Sequence, residues 1–163
     1  MRKRLTTSIA LLGVLFLLIQ YGSPLLLYLV LQGIVLGALL EFYNLARRKK
    51  LHPQRALGAG LALLVGLSFF FREKVPFELM LFAAFLTAGI YFLVSFRRLE
   101  QLPYFSQSIA ITFFGALFVS FPLNYLYLIR IERGALYFYF FGAIIFLGDS
   151  GAYLVGKLAG RHK

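Results

Sequence analysis

Apolar runs too long for one face of a soluble core set the limits on this chain. Six can be drawn, over residues 5–21, 24–45, 56–71, 77–96, 108–129 and 134–155. Most reach or approach the ~20 residues that a helix needs to cross a ~30 Å hydrocarbon layer. The first and third, at 17 and 16 residues, must stand upright or recruit their flanks. The runs show neither helical nor strand alternation, so they cannot all turn one side to a protein core. With 61% hydrophobic and only 14% charged residues in the chain, a bilayer is the solvent that permits them. The expected fold class is all-α: a polytopic integral membrane protein of about six transmembrane helices. They form one transmembrane region of three successive helix pairs, over residues 1–55, 56–107 and 108–163.

The cations fix an expected orientation. With the N-terminus in the cytosol, the segments on that side carry Arg2, Lys3 and Arg4, then Arg47, Arg48, Lys49, Lys50 and Arg55, then Arg97 and Arg98, then Lys157, Arg161 and Lys163. These are 13 of the 17 Lys and Arg residues; the outer segments hold Arg72, Lys74, Arg130 and Arg133. Cytosolic loops carry such an excess, so both chain ends are placed in the cytosol. The same loop clustering explains the net charge of +11 without nucleic acid, because no basic stripe runs beside exposed aromatics on a soluble element. Cysteine is absent and histidine is limited to His52 and His162, so a metal here would be a hard ion with oxygen ligands.

Local signals refine the layout. Arg2-Lys3-Arg4 before an apolar run resembles a signal peptide, but no small-x-small cleavage site follows. Gly22-Ser23-Pro24 instead reads as a turn into the next helix, with Ser23 as N-cap and Pro24 at the first helical position. Gly33 and Gly37 form a GxxxG that permits close helix packing. Pro122 interrupts the fifth run, where a kink is expected. Tyr137 to Phe141 read as part of an aromatic belt at the outer boundary.

One acid stands apart. Only 15 residues separate the start of the last run from Gly148, about 22 Å of helix, so the span must continue through Asp149 towards Val155. Asp149 then lies just inside the cytosolic boundary, where an ionisable group is costly and points to function. Gly148 and Gly151 leave room beside it. On a continuous helix Asp149, Tyr153, Lys157 and Gly160 share one face, offering an acid, a hydroxyl and a cation. Lys157 also fits a plain interfacial anchor. Glu41 reaches a similar depth on the second run, and two readings fit it equally. It can join Asp149 in holding a divalent cation between a lipid phosphate and a soluble phosphate, or it can snorkel towards Arg47–Lys50. Gly151 to Lys157 match GxxxxGK, but Leu158 follows where a phosphate-binding loop has Ser or Thr, and no strand precedes; that reading is rejected. The other spans hold scattered hydroxyls and Asn124 without charge, which counts against a conduction path.

The stretch from Asp149 to Lys163 resembles the D-x-G-A-Y-x-x-G-(K/R)-x-x-G-(K/R)-x-K segment of bacterial phosphatidate cytidylyltransferases, also called CDP-diacylglycerol synthases. The basic start, Glu41-Phe42-Tyr43-Asn44-Leu45-Ala46, Thr112-Phe113-Phe114-Gly115 and Arg130 agree with the same family in order and spacing. The resemblance implies a multi-pass enzyme of the bacterial inner membrane with its active face to the cytosol. It would join CTP to phosphatidic acid, giving CDP-diacylglycerol and pyrophosphate with Mg²⁺. Asp149 would be the catalytic and metal-binding acid, and Tyr153, Lys157 and Glu41 would contact substrate. Family members continue with further spans and a polar C-terminal signature, so this chain is expected to be the front part of such an enzyme and inactive alone. A CTP-dependent kinase of a lipid alcohol and a non-catalytic membrane assembly module are the alternatives. Oligomeric state, a homodimer included, stays open.

Overall fold

The computed structural model describes residues 13–72, 74, 76–95 and 102–159, and all regular structure among them is helical. The first helix, α1, is described over residues 13–21. Then follow α2 (Pro24–Arg48), α3 (Arg55–Phe70), α4 (Phe77–Ser95), α5 (Leu102–Arg133) and α6 (Ala135–Ala159). Three of them, α2, α5 and α6, are long and apolar enough to cross a membrane, which makes this a membrane protein. At 16 residues α3 extends about 24 Å, so it falls short of a full crossing on its own length. Arg2–Arg4, Arg97, Arg98 and Gly160–Lys163 lie outside the described residues.

The expected turn into α2 is present. Ser23 is extended and its hydroxyl accepts from the Leu26 amide at 3.2 Å, with Pro24 beginning the helix. The other end of α2 closes less conventionally. The Lys50 amide donates to Arg47 O at 2.9 Å and the Leu51 amide to Ala46 O at 3.1 Å, the paired bonds of a Schellman motif. Its left-handed position, which glycine usually fills, is held by Lys50 at φ 61°. A side chain there costs on the order of 1 kcal/mol relative to glycine.

The chain divides into two compact units, residues 22–127 and residues 1–21 with 128–163. In the first, Val35, Leu39 and Tyr43 of α2 and Ala62 of α3 form a fully buried cluster, flanked by Phe42 and by Val119 and Leu123 of α5. A second cluster joins Leu61 of α3, Ala84 of α4 and Ala116 of α5. The close approach of α2 and α3 depends on Gly58 and Gly66. A Cβ at the first would overlap the Tyr43 phenol, and at the second the Gln32 amide. Gly33 and Gly37 have no atom within 4 Å of where a Cβ would stand, so the GxxxG is not the packing seam within the described structure.

Polar groups cross this unit in matched pairs. Gln32 of α2 donates from Nε2 to Asn124 Oδ1 at 2.7 Å, and Asn124 donates onward to Ser120 O. Tyr43 donates its hydroxyl to Thr112 O at 2.6 Å, while Thr112 Oγ1 accepts from the Gln54 amide at 2.8 Å. Inside a bilayer there is no water to satisfy such groups, so helix-to-helix bonds are the available alternative to burying them bare. Helix α5 runs unbroken through Pro122, whose ring removes the amide that would have served the Phe118 carbonyl.

In the second unit α5 hands over to α6 through Gly134 alone, at φ 87°, a value that L side chains rarely adopt. Arg130, which the sequence places just after the fifth span, lies within α5. Its guanidinium donates to Ile19 O and Gln20 O at the end of α1. These carbonyls have no partner inside α1, so the Arg130 fork supplies the missing donors. Phe16 stacks on Tyr139 at 5.6 Å between ring centroids, which fastens α1 to α6.

Candidate functional site

Helix α6 owes its length to an unbroken apolar sequence from Ala135 onward, with no proline and with a basic residue, Lys157, in its last turn. As the length argument requires, it continues through Asp149 and ends at Ala159. Asp149 stands about 21 Å along the axis from Ala135, with some 15 Å of helix still to come. The stripe of Asp149, Tyr153 and Lys157 is therefore real, each residue one turn beyond the last. Gly160, the fourth member, lies outside the described residues. The GxxxxGK stretch is continuous α-helix from Gly151 to Lys157, so its amides are engaged in the helix and cannot cradle a phosphate.

A shallow groove of about 490 Å³ runs along this helix, lined by Ile145, Phe146, Asp149, Ser150, Tyr153 and Leu154. Its lining changes character along the axis. Ile145 and Phe146 form an apolar end, and a turn later the carboxylate and the hydroxyls of Ser150 and Tyr153 are grouped. The groove is open, with Phe146 at 72% and Tyr153 at 67% exposure. Asp149 and Ser150 are exposed as well. Ser150 has no assigned role in the sequence reading; its position beside Asp149 in Asp-Ser-Gly was the available signal. Among the described residues Asp149 makes no ion pair, and no cluster of three or more acids or histidines forms. A lone carboxylate with neighbouring hydroxyls fits a hard cation that completes its shell with water and substrate phosphates, the usual Mg²⁺ arrangement.

Glu41 belongs to the other compact unit, on the exposed side of α2. Its next neighbour in sequence, Phe42, turns to the core. Glu41 makes no ion pair with Arg47–Lys50 among the described residues. Thr112, part of a family-like stretch, is fully buried and occupied by Gln54 and Tyr43. Its role is to hold the α2–α3 connection against α5. Arg130 likewise is spent on α1.

The fold and this groove define a class: a helical membrane protein that presents an unpaired acid and hydroxyls beside an apolar track. The chain belongs to the cytidylyltransferase family, whose model matches residues 2–163. It is thus a transferase of the CTP-using, nucleotidyl-transferring kind. No curated protein and no solved structure matches it.

Proposed function

We propose that the protein transfers the cytidylyl group of CTP to phosphatidic acid, yielding CDP-diacylglycerol and pyrophosphate. The observation that carries this reading is the two-ended groove on α6. An acyl chain can lie against Ile145 and Phe146 while its phosphate reaches the level of Asp149, Ser150 and Tyr153. Few acceptors other than a phospholipid ask for both ends at once. The reaction makes the same demand. A phosphatidate oxygen attacks the α-phosphorus of CTP, a new P–O bond forms, and the bond to pyrophosphate breaks.

The residues divide the work by chemistry. Ser150 and Tyr153 donate hydrogen bonds to phosphate oxygens and orient the nucleophile. Lys157, one turn nearer the aqueous boundary, offsets charge that builds on the phosphoryl oxygens. Asp149 is the residue that would hold Mg²⁺, which when bound supplies charge neutralisation to the phosphates. The groove fits a membrane with six crossings and both chain ends in the cytosol, since CTP is then available on the side where α6 emerges. In a bacterium that is the inner membrane.

The test is conversion of labelled CTP and phosphatidic acid to CDP-diacylglycerol by membranes containing the protein, with Mg²⁺ present. With the polar C-terminal segment of the family present, wild type should form product and Asp149→Asn should insert normally yet form almost none; residues 1–163 alone are expected to be inactive. Near-normal turnover by that variant would remove Asp149 from the mechanism.

A further inference from the structure

The α2–α3 connection carries more than a topological signal needs. Arg47, Arg48, Lys49, Lys50 and Arg55 fall within nine residues, and none forms an ion pair among the described residues. Arg47 to Lys50 are all exposed. A loop that only sets orientation needs charge, with no requirement on where each cation is held. Here the geometry is fixed. Lys50 occupies the left-handed position of the Schellman motif, where glycine would be the easier residue and four cations would still remain. The connection behind it is tied down at three points. Ser108 donates to His52 O, the Gln54 amide donates to Thr112 Oγ1 at 2.8 Å, and Tyr91 donates to Gln54 Oε1 at 3.0 Å. Pro53 is buried between these ties. Arg55 is anchored through Nη2 on Asn44 Oδ1, while its Nε–H has no acceptor.

We propose that this connection is a docking surface for the phosphate-bearing headgroup of an acidic phospholipid, with Lys50 as its positioned cation. The occupant is a lipid because the cations close a 25-residue apolar helix, which brings them to the headgroup layer of the leaflet. A pre-set backbone spares the ordering cost that a flexible basic loop meets on binding. The site shares no residue with the groove on α6 and stands whether or not the transferase reading holds.

Native mass spectrometry of the purified protein in neutral detergent tests this, with dioleoyl phosphatidylglycerol and dioleoyl phosphatidylcholine as probes. Phosphatidylglycerol is chosen because the proposed reaction does not consume it. Wild type should retain it in preference to the zwitterionic lipid. Lys50→Gly should weaken that retention about fivefold, the factor equivalent to ~1 kcal/mol for one cation at an anionic surface. Lys50→Arg and the control Lys74→Gln should leave it unchanged. Glycine is the residue this backbone prefers, so the lipid-free melting temperature of Lys50→Gly should stay level or rise, which separates lost binding from lost folding. Equal retention of the two lipids overturns the proposal, as does equal affinity of wild type and Lys50→Gly. Displacement of phosphatidylglycerol by millimolar inorganic phosphate would assign the surface to a soluble anion and overturn it too.

Discussion

Two regions of this molecule treat polar groups in opposite ways. In residues 22–127 the polar side chains between helices turn inward and find each other, as Gln32 does with Asn124 and Tyr43 with the Thr112 carbonyl. Further along α6, Asp149, Ser150 and Tyr153 turn outward and find no partner among the described residues. The apolar stretches differ in the same sense: 33% of the most apolar part of α2 is buried, against 0% for α6. Matched and buried polarity holds helices together. Unmatched and exposed polarity inside an apolar span is what a ligand would complete.

That contrast can be broken from either side. The largest effect should come from Asp149→Asn, with cytidylyl transfer falling about 10²–10³-fold, the usual cost of losing one charge-stabilising group. Its melting temperature in detergent should barely move, because an exposed side chain without partners contributes little to stability. If the variant melts much earlier, Asp149 belongs with the structural residues and the comparison fails.

Gly58→Val should show the reverse pattern. The added methyls can enter only by displacing the buried Tyr43 ring and its bond to Thr112, at a cost of about 1–3 kcal/mol in thermal unfolding. Asn124→Leu comes next. It removes the acceptor of the Gln32 amide, whose Oε1 already lacks a donor, and should cost about 1 kcal/mol. A double-mutant cycle with Gln32→Leu should recover part of the loss, and strict additivity would show that the two amides are not coupled. The smallest change is expected from Tyr153→Phe: a decrease of about tenfold or less in transfer, with unfolding unaltered. A rise in KM for phosphatidic acid, with kcat nearly constant, would sharpen its role to lipid binding.

Much of the layout was legible because apolar length and cation clusters act locally. Ser23-Pro24 announced the start of α2, and the short count from Gly134 to Gly148 required α6 to pass through Asp149. The pairings were not legible. Gln32 and Asn124 lie 92 residues apart, and helices apolar on every side carry no stripe to say which faces meet. The glycines show the same limit: Gly33 and Gly37 had the motif, whereas Gly58 and Gly66 had the contacts. At the candidate site the acid and its stripe could be read from spacing along one helix. Ser150 joined them only once the groove was visible, because neighbours in a helix normally point apart.

The clamp between Arg130 and the end of α1 also has a consequence in time. Its donor and its acceptor at Ile19 are 111 residues apart in the chain. At ~5–20 residues per second of synthesis, about 5 to 20 seconds pass between the emergence of the two. Throughout that interval the last carbonyls of α1 must rely on water, lipid headgroups or the insertion machinery. Residues 22–127 can assemble meanwhile, since Tyr127 precedes Arg130. Of the two units, the one that joins α1 to the end of α5 therefore closes after residues 22–127 can assemble, and it closes on an arginine.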